Sequence, residues 1–206
     1  CSIQCPNARF TITGEGGTQM TMFNCAVTGG TEGTLNFDPP ASGPKPNQNF
    51  SGCWWGSNAN PGFGSDIDFN PWLNIDTDTD GTTRGFQGDF TYLNVNTAGN
   101  QFAPLERVQE AHDLLIEGGT VHLRSASFAE TLTVSKNLSL DNTGTATLNN
   151  LSMSGVAKTL TLLNPLTVSN VLTLNQGIIQ TNTNILTMSN AAVAALLPAN
   201  LTGTSW

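Results

Sequence analysis

The chain has 206 residues and a formal net charge of −8, from 7 basic and 15 acidic side chains. Such an acidic chain offers no basic surface for a phosphate backbone, which argues against nucleic acid as a partner. Charged residues make up 11% of the sequence, against roughly 25% in an ordinary soluble domain. The surface must therefore consist largely of hydroxyls and amides, as in extracellular repetitive β proteins. No apolar run approaches the ~18 residues of a membrane-spanning helix, so we expect no membrane insertion.

All four cysteines lie in the first quarter of the chain, at Cys1, Cys5, Cys25 and Cys53. Four cysteines can pair in three ways, and their spacing does not match a paired CxxC zinc site. We therefore expect disulfides, with free thiols as the alternative. An amino-terminal cysteine followed by serine also resembles the lipid-bearing first residue of a mature bacterial lipoprotein.

The first part of the chain, residues 1–75, predicts short β-strands punctuated by glycine clusters. Within it the run DPPASGPKPNQNFSG contains four prolines, which exclude regular ladder pairing and indicate an irregular loop. Residues 76–100 are polar and rich in aspartate. They predict a connector between two structured parts.

The connector begins with alternating carboxylates at Asp76, Asp78 and Asp80, followed by Gly81. Alternate carboxylates that converge on a hard cation, with glycine at the turn, are typical of the start of a calcium loop. The closing glutamate is absent and Gln87 stands at its place. Two hypotheses stay open, a calcium-stiffened linker and a solvated acidic connector.

Between residues 102 and 116 the apolar period changes to about 3.6 residues, which predicts an amphipathic helix. Pro104 suits a first helical turn, and Gly118 with Gly119 suits a left-handed helix end. The helix comes immediately before a run of repeats. At that position it is suited to cover the exposed end of a solenoid.

From Gly119 to Asn190 the chain repeats short runs of Leu, Ile, Val or Met alternating with Thr or Ser. Alternation puts the aliphatic residues on one face of a strand. Similar runs recur at roughly 20 to 24 residues, a period typical of solenoid coils with about three short strands each.

An antiparallel sandwich also needs many short alternating strands. It should show Asn-Gly or Asp-Gly hairpin turns, and none occurs between Gly119 and Trp206. The corners instead carry single Asn, Ser or Gly residues, which can take the left-handed conformation that a sharp solenoid bend requires. The asparagines concerned are Asn142, Asn164, Asn170, Asn175 and Asn190.

Two motifs resemble a known family. The run FAPLERVQEAHDLLIEGGTVHLRSASFAETLTVSKNLSL resembles the opening of a right-handed parallel β-helix of the pectate-lyase-like superfamily. The run SGCWWGSNANPGFGSDIDFNPWL resembles a Trp-Trp-Gly to Pro-Trp-Leu segment that closes one β-helix in bacterial, Bacteroidetes-type surface proteins. The resemblance implies an all-β, right-handed parallel β-helix with one short amphipathic capping helix. Residues 1–75 would end a first β-helix, and residues 101–206 would hold the capping helix and start a second.

Enzymes with this fold that cleave acidic polysaccharides gather aspartate ligands for calcium and a basic residue on one face. The second part of the chain is too sparsely charged for such a cleft. Its charged residues after Gly119 are Arg124, Glu130, Lys136, Asp141 and Lys158. We therefore predict no enzymatic activity and no cofactor other than calcium. Neither His112 nor His122 has a carboxylate partner in reach by sequence, so both are expected to be structural or exposed.

Trp54, Trp55 and Trp72 are candidates for a carbohydrate platform, because aromatic faces bury the apolar side of a sugar ring. The alternative is core packing. Their position in a segment that closes a solenoid favours packing.

These observations predict a non-enzymatic, extracellular structural or adhesive module of a larger bacterial surface or secreted protein. Expected partners are other copies of the chain, other surface proteins and glycans. The alternative is a carbohydrate-binding or polysaccharide-cleaving β-helix whose active coils lie outside this segment.

Overall fold

The computed structural model describes residues 2–4, 21–28, 48–62, 67–102, 106–189, 193–196 and 201–202. The chain forms two compact units. The first comprises Cys1–Phe90 and Ala98–Pro104, and the second comprises Thr91–Thr97 and Leu105–Trp206. The described part contains one helix, which is short, and that helix is not long and apolar enough to cross a membrane.

The first unit contains short strands that stack in parallel. They are β1 (Ser2–Gln4), β2 (Ala26–Thr28), β3 (Gln48–Asn49), β4 (Ile67–Asp68) and β5 (Trp72–Leu73). Strand β1 pairs with β2 and β3 pairs with β4. Single parallel bridges, Thr21 to Asn49 and Ala26 to Trp54, extend both stacks by one level. Successive passes of the chain therefore lie one above another.

The second unit begins with β6 (Tyr92–Val95) and helix α1 (Arg107–Leu114). The strands that follow are β7 (Thr120–Leu123), β8 (Ser127–Val134), β9 (Leu138–Asn142), β10 (Ala146–Met153), β11 (Thr159–Leu162), β12 (Leu166–Leu174), β13 (Ile178–Gln180), β14 (Leu186–Met188), β15 (Val193–Leu196) and β16 (Leu201–Thr202). One sheet of this unit has the order β6-β7-β9-β11-β13-β16. The other has the order β8-β10-β12, with β14 and β15 both paired to β12.

Among the described residues the strand pairs of the second unit are parallel, which confirms the β-solenoid and excludes the antiparallel sandwich. The register stacks like residues from successive coils. Leu160 lies between Leu138 and Ile179, and all three are at most 1% exposed. A buried aliphatic side chain contributes about 1.5–3 kcal/mol, so these columns are the main source of stability in the second unit.

The left-handed conformation that the sequence suggested for the corners is found mainly at glycines and, within the described residues, not at the asparagines named above. Among the described residues, left-handed backbone occurs at glycines such as Gly144 (φ 107°) and at Asn24, Ala157 and Asn182. It does not occur at the four predicted corner asparagines within the described residues, which are Asn142, Asn164, Asn170 and Asn175. Asn190 lies outside the described residues.

Corner asparagines instead join neighbouring coils through their amides. The Asn142 side chain donates to the Pro165 carbonyl at 3.1 Å, and its backbone N–H donates to Asn164 Oδ1 at 3.2 Å. Asn184 donates to the Leu162 carbonyl at 2.8 Å. These side chains satisfy backbone groups that leave the ladder where the chain turns. An amide at a corner therefore replaces a ladder hydrogen bond.

Candidate functional site

Helix α1 lies along strand β8 and covers its backbone edge. Three side chains spaced three residues apart accept hydrogen bonds from alternate N–H groups of β8 and the residue after it. The pairs are Glu106 with Thr131, Gln109 Oε1 with Thr133 at 2.8 Å, and His112 Nε2 with Ser135 at 3.2 Å. We call these three side chains and the N–H groups that they cover the edge cap.

The edge cap takes the place of a strand. Alternate N–H groups of a strand point to the same side, toward the neighbouring strand of the sheet. On its other side β8 pairs with β10. Unpaired strand edges are templates for pairing with another chain, so covering this edge closes it to strand addition. The predicted capping helix is therefore confirmed, and its cap is built from side-chain acceptors.

Side chains from β8 and from the residues after it also stabilise both ends of helix α1. Glu130 Oε2 accepts the N–H of Val108 at 2.8 Å, in the first turn of α1. Lys136 Nζ donates to the carbonyls of Asp113 at 3.1 Å and Leu115 at 2.9 Å, at the end of α1. An anion at the start and a cation at the end both interact favourably with the helix dipole. Burial raises the pKa of Glu130.

His112 is the most deeply buried polar member of the edge cap, at 1% exposure. Its Nδ1 lies 2.6 Å from Asp113 Oδ1, while its Nε2 accepts the N–H of Ser135. These partners require a neutral ring with its proton on Nδ1. Burial is the main cause that lowers the pKa of His112, so the neutral form is favoured.

A second group of polar side chains, half-buried except for the fully buried Asn94, lies along β6, β7 and β9. Tyr92 Oη donates to Asp141 Oδ2 at 2.7 Å, and His122 Nδ1 lies 2.6 Å from the same oxygen. The Tyr92 and His122 rings stack with centroids 5.9 Å apart. Beside them Arg124 Nε donates to Asn94 Oδ1 at 2.7 Å. We call these five residues the polar cluster.

The polar cluster holds the His122 ring in one orientation. Nδ1 is directed at Asp141, and Nε2 lies 3.4 Å from the Thr143 hydroxyl. Burial and the hydrogen bond to Asp141 raise the pKa of Tyr92, so the phenol remains a donor. A fixed imidazole beside a cation and a phenol can donate and accept hydrogen bonds with a bound polar molecule.

The expectation that both histidines lack a carboxylate partner is wrong. His112 contacts Asp113, its neighbour in sequence, and His122 pairs across the sheet with Asp141. His122 and Asp141 lie opposite each other on successive coils, so their separation in sequence is close to the repeat period. A sequence signal for such pairs is a histidine and a carboxylate at outward positions one repeat period apart.

The three tryptophans pack within the first unit. Trp72 has no exposed surface, its Nε1 donates to the Asn58 carbonyl at 3.2 Å, and its ring lies 5.8 Å from that of Phe69. Trp54 is 8% exposed, and Trp55 is partly buried against the core that contains Trp72. Trp54 and Trp72 are therefore core residues, as the packing alternative predicts, and carbohydrate binding by the three tryptophans stays a prediction.

The aspartates of the connector bind their own loop. Asp78 Oδ1 accepts the N–H groups of Asp80 at 3.1 Å and Gln87 at 3.2 Å. Asp80 accepts hydrogen bonds from Thr82 and Thr83, which lower its pKa to about 2. Within the described residues no three His, Cys, Asp or Glu side chains could hold a metal ion together. Asp76, Asp78 and Asp80 therefore do not converge as a set of three ligands, and calcium binding stays a prediction.

The cysteine expectation needs one correction. Cys53 is a free thiol with no exposed surface, and its Sγ donates to the Met22 carbonyl at 3.6 Å. Burial raises its pKa to about 12. Cys1 and Cys5 lie outside the described residues, so any disulfide between either of them and Cys25 stays a prediction.

No family model, no curated protein and no solved structure matches this chain. The resemblance to pectate-lyase-like surface proteins therefore depends on the two sequence motifs alone. The fold and the contacts described above are the basis for a function.

Proposed function

We propose that this chain is a non-enzymatic structural module of an extracellular bacterial surface or secreted protein, in which a rigid stack of coils presents an outer face to partners. The main support is the continuous parallel stacking of aliphatic columns in the second unit. The columns bury the aliphatic residues of the repeat, whereas its hydroxyl and amide side chains lie outside.

The few charged side chains of the solenoid support the same proposal. Glu130 and Lys136 bind the ends of α1, and Lys158 Nζ lies 2.7 Å from Glu117 Oε1. Arg124 and Asp141 are engaged in the polar cluster. Each of these charged groups contacts a group of the same chain, as expected of charges that stabilise the fold. A lyase or hydrolase instead needs acidic and basic groups directed at a substrate.

A direct test is incubation of the purified chain with polyuronate and neutral polysaccharides, with and without calcium. Lyase cleavage produces an unsaturated uronate with ultraviolet absorbance, and hydrolysis produces reducing ends. We expect neither product. Formation of either one that disappears in the Asp141→Asn variant would contradict a non-enzymatic role.

The polar cluster favours one second candidate, glycan binding. Its side chains come from three successive coils and combine a phenol, an imidazole and a guanidinium. Binding on a glycan array by the wild type, lost in His122→Ala and kept in Thr161→Ala on the same sheet, would support this candidate. Equal binding by both variants would exclude the polar cluster as the site.

A further inference from the structure

Asp141 has one carboxylate oxygen that the polar cluster does not use. Its Oδ2 accepts from Tyr92 Oη at 2.7 Å and lies 2.6 Å from His122 Nδ1. Among the described residues no group donates to its Oδ1, and the Asp141 side chain is 25% exposed. An ionised carboxylate accepts hydrogen bonds on both oxygens and donates none. A bound molecule can therefore reach Asp141 Oδ1 as a hydrogen-bond donor.

A second acceptor lies on the other side of the His122 ring. Thr143 is exposed, and its hydroxyl lies 3.4 Å from His122 Nε2. We assign the imidazole proton to Nδ1, toward Asp141, so that Nε2 accepts the hydroxyl proton of Thr143. The Thr143 oxygen then keeps its lone pairs for a donor from outside. Asp141 Oδ1 and Thr143 Oγ1 are thus two acceptors held by one imidazole.

The next coil places an exposed aliphatic side chain beside these acceptors. Leu162 pairs with Leu140, and the Leu163 N–H donates to the Leu140 carbonyl at 2.9 Å. Leu163 therefore lies opposite Asp141, on the side of the sheet away from the core. Leu162 has no exposed surface, whereas Leu163 is 45% exposed. An apolar surface and two hydrogen-bond acceptors lie side by side on successive coils.

This combination fits a neutral sugar ring. A pyranose has an apolar side formed by its C–H groups and a rim of hydroxyl donors, so it can lie on Leu163 and donate to both acceptors. Hydrogen bonds to a carboxylate are stronger than those to a neutral acceptor. The same carboxylate repels an acidic sugar, as does the net charge of −8. The cation of the polar cluster, Arg124, donates through Nε to Asn94 Oδ1 at 2.7 Å.

We propose that Asp141, Thr143 and Leu163 form a binding site for one neutral pyranose ring of a glycan. Tyr92 and His122 hold the Asp141 carboxylate beside it. The inference rests on the proposed function, in which glycan binding by the polar cluster is the second candidate. It names the ligand class and adds Thr143 and Leu163 to the residues that contact the ligand.

The experiment compares neutral with acidic sugars on one array. The immobilised probes are oligosaccharides of glucose, galactose, mannose and N-acetylglucosamine, beside oligogalacturonate and sialylated lactose. We expect the wild type to bind at least one neutral probe and neither acidic probe. Titration calorimetry with the neutral probe that binds best then gives the affinity of each variant.

Three variants test the residues of the site. Asp141→Asn should weaken binding by about tenfold or more, because a charged acceptor is lost. Leu163→Ser should weaken binding about fivefold, since it removes the apolar contact. Leu163→Phe should instead bind more tightly, because an aromatic face covers more of the ring.

The matched control is Val156→Ser. Val156 is 72% exposed and precedes β11, whereas Leu163 follows it. This variant removes an exposed aliphatic side chain from the other end of the same strand, so its affinity should equal that of the wild type. Circular dichroism should give the same β signal for all four variants, because Leu163 and Val156 are exposed and asparagine replaces Asp141 without a change of shape.

Three outcomes would overturn the inference. Binding of the acidic probes alone, lost in Arg124→Gln, would assign the ligand to Arg124 and keep glycan binding by the polar cluster. Unchanged affinity in Leu163→Ser would remove the apolar contact on which the ring is placed. Failure of the wild type to bind any probe would exclude the site, while the proposed structural module is tested separately by the polysaccharide cleavage assay.

Discussion

The first unit packs around aromatic side chains, whereas the second packs around stacked aliphatic residues. The largest side chains without exposed surface in the first unit are Trp72, Phe50 and Phe69. In the second unit they are mostly leucines, which lie in register on successive coils. Aromatic cores need one specific arrangement of a few large rings, while leucine columns repeat one arrangement. The two units should therefore respond differently to the loss of a core residue.

The largest expected effect is in the first unit. Trp72→Ala removes a fully buried indole that packs on Phe69, and it should lower the free energy of unfolding by about 3–5 kcal/mol. Denaturant unfolding followed by circular dichroism measures this loss. Ile75→Ala, at a side chain that is 41% exposed, is the control and should cost under about 1 kcal/mol. Equal losses for both variants would contradict a core centred on Trp72.

The same test in the second unit uses Leu160→Ala. The cavity would lie between Leu138 and Ile179 of neighbouring coils, and we expect a loss of about 2–4 kcal/mol. Because each coil contacts mainly its neighbours, faster hydrogen exchange should be confined to adjacent coils. The control is Thr161→Ala on the outward face of the same strand, expected within about 0.5 kcal/mol of wild type. Uniformly faster exchange throughout the unit would contradict a nearest-neighbour stack.

A smaller effect is expected at the corners. Asn142→Ala leaves the Pro165 carbonyl without its amide donor, in a site where Asn142 is 5% exposed. The expected loss is about 1–2 kcal/mol, the cost of an unsatisfied buried acceptor. The control is Ser139→Ala in the same strand. A loss no larger than that of the control would show that the corner amides do not stabilise the turn.

The smallest effect concerns Glu130, whose pKa is raised by burial. A raised carboxyl pKa means that its contribution to stability is present below the ordinary value and is lost as pH rises through the raised value. Glu130→Gln removes this dependence, so its stability relative to wild type should fall as pH falls. We expect a change under about 1 kcal/mol, measured by denaturant unfolding at several pH values. A relative stability that rises on acidification would contradict a raised pKa.

Sequence reasoning was most successful where the pattern repeats. Strict alternation predicted which face of each strand is buried, as at Leu138 and Leu140, and the repeat period predicted parallel stacking. It was wrong about the backbone conformation of the corner asparagines. A single asparagine suits several conformations, and only the observed turns show which one is adopted. It also missed the partners of His122 and of the edge cap, since those contacts join residues about one coil apart.

The sequence by itself determined the parallel solenoid and its short helix, because aliphatic alternation and helical periodicity follow from local side-chain geometry. Tertiary structure decided that Cys53 is a free buried thiol and that Asp141 lies beside His122. It also decided that His112 covers the N–H of Ser135. Each of these contacts depends on the register between distant segments, which is fixed by packing of the whole core and not by any local pattern.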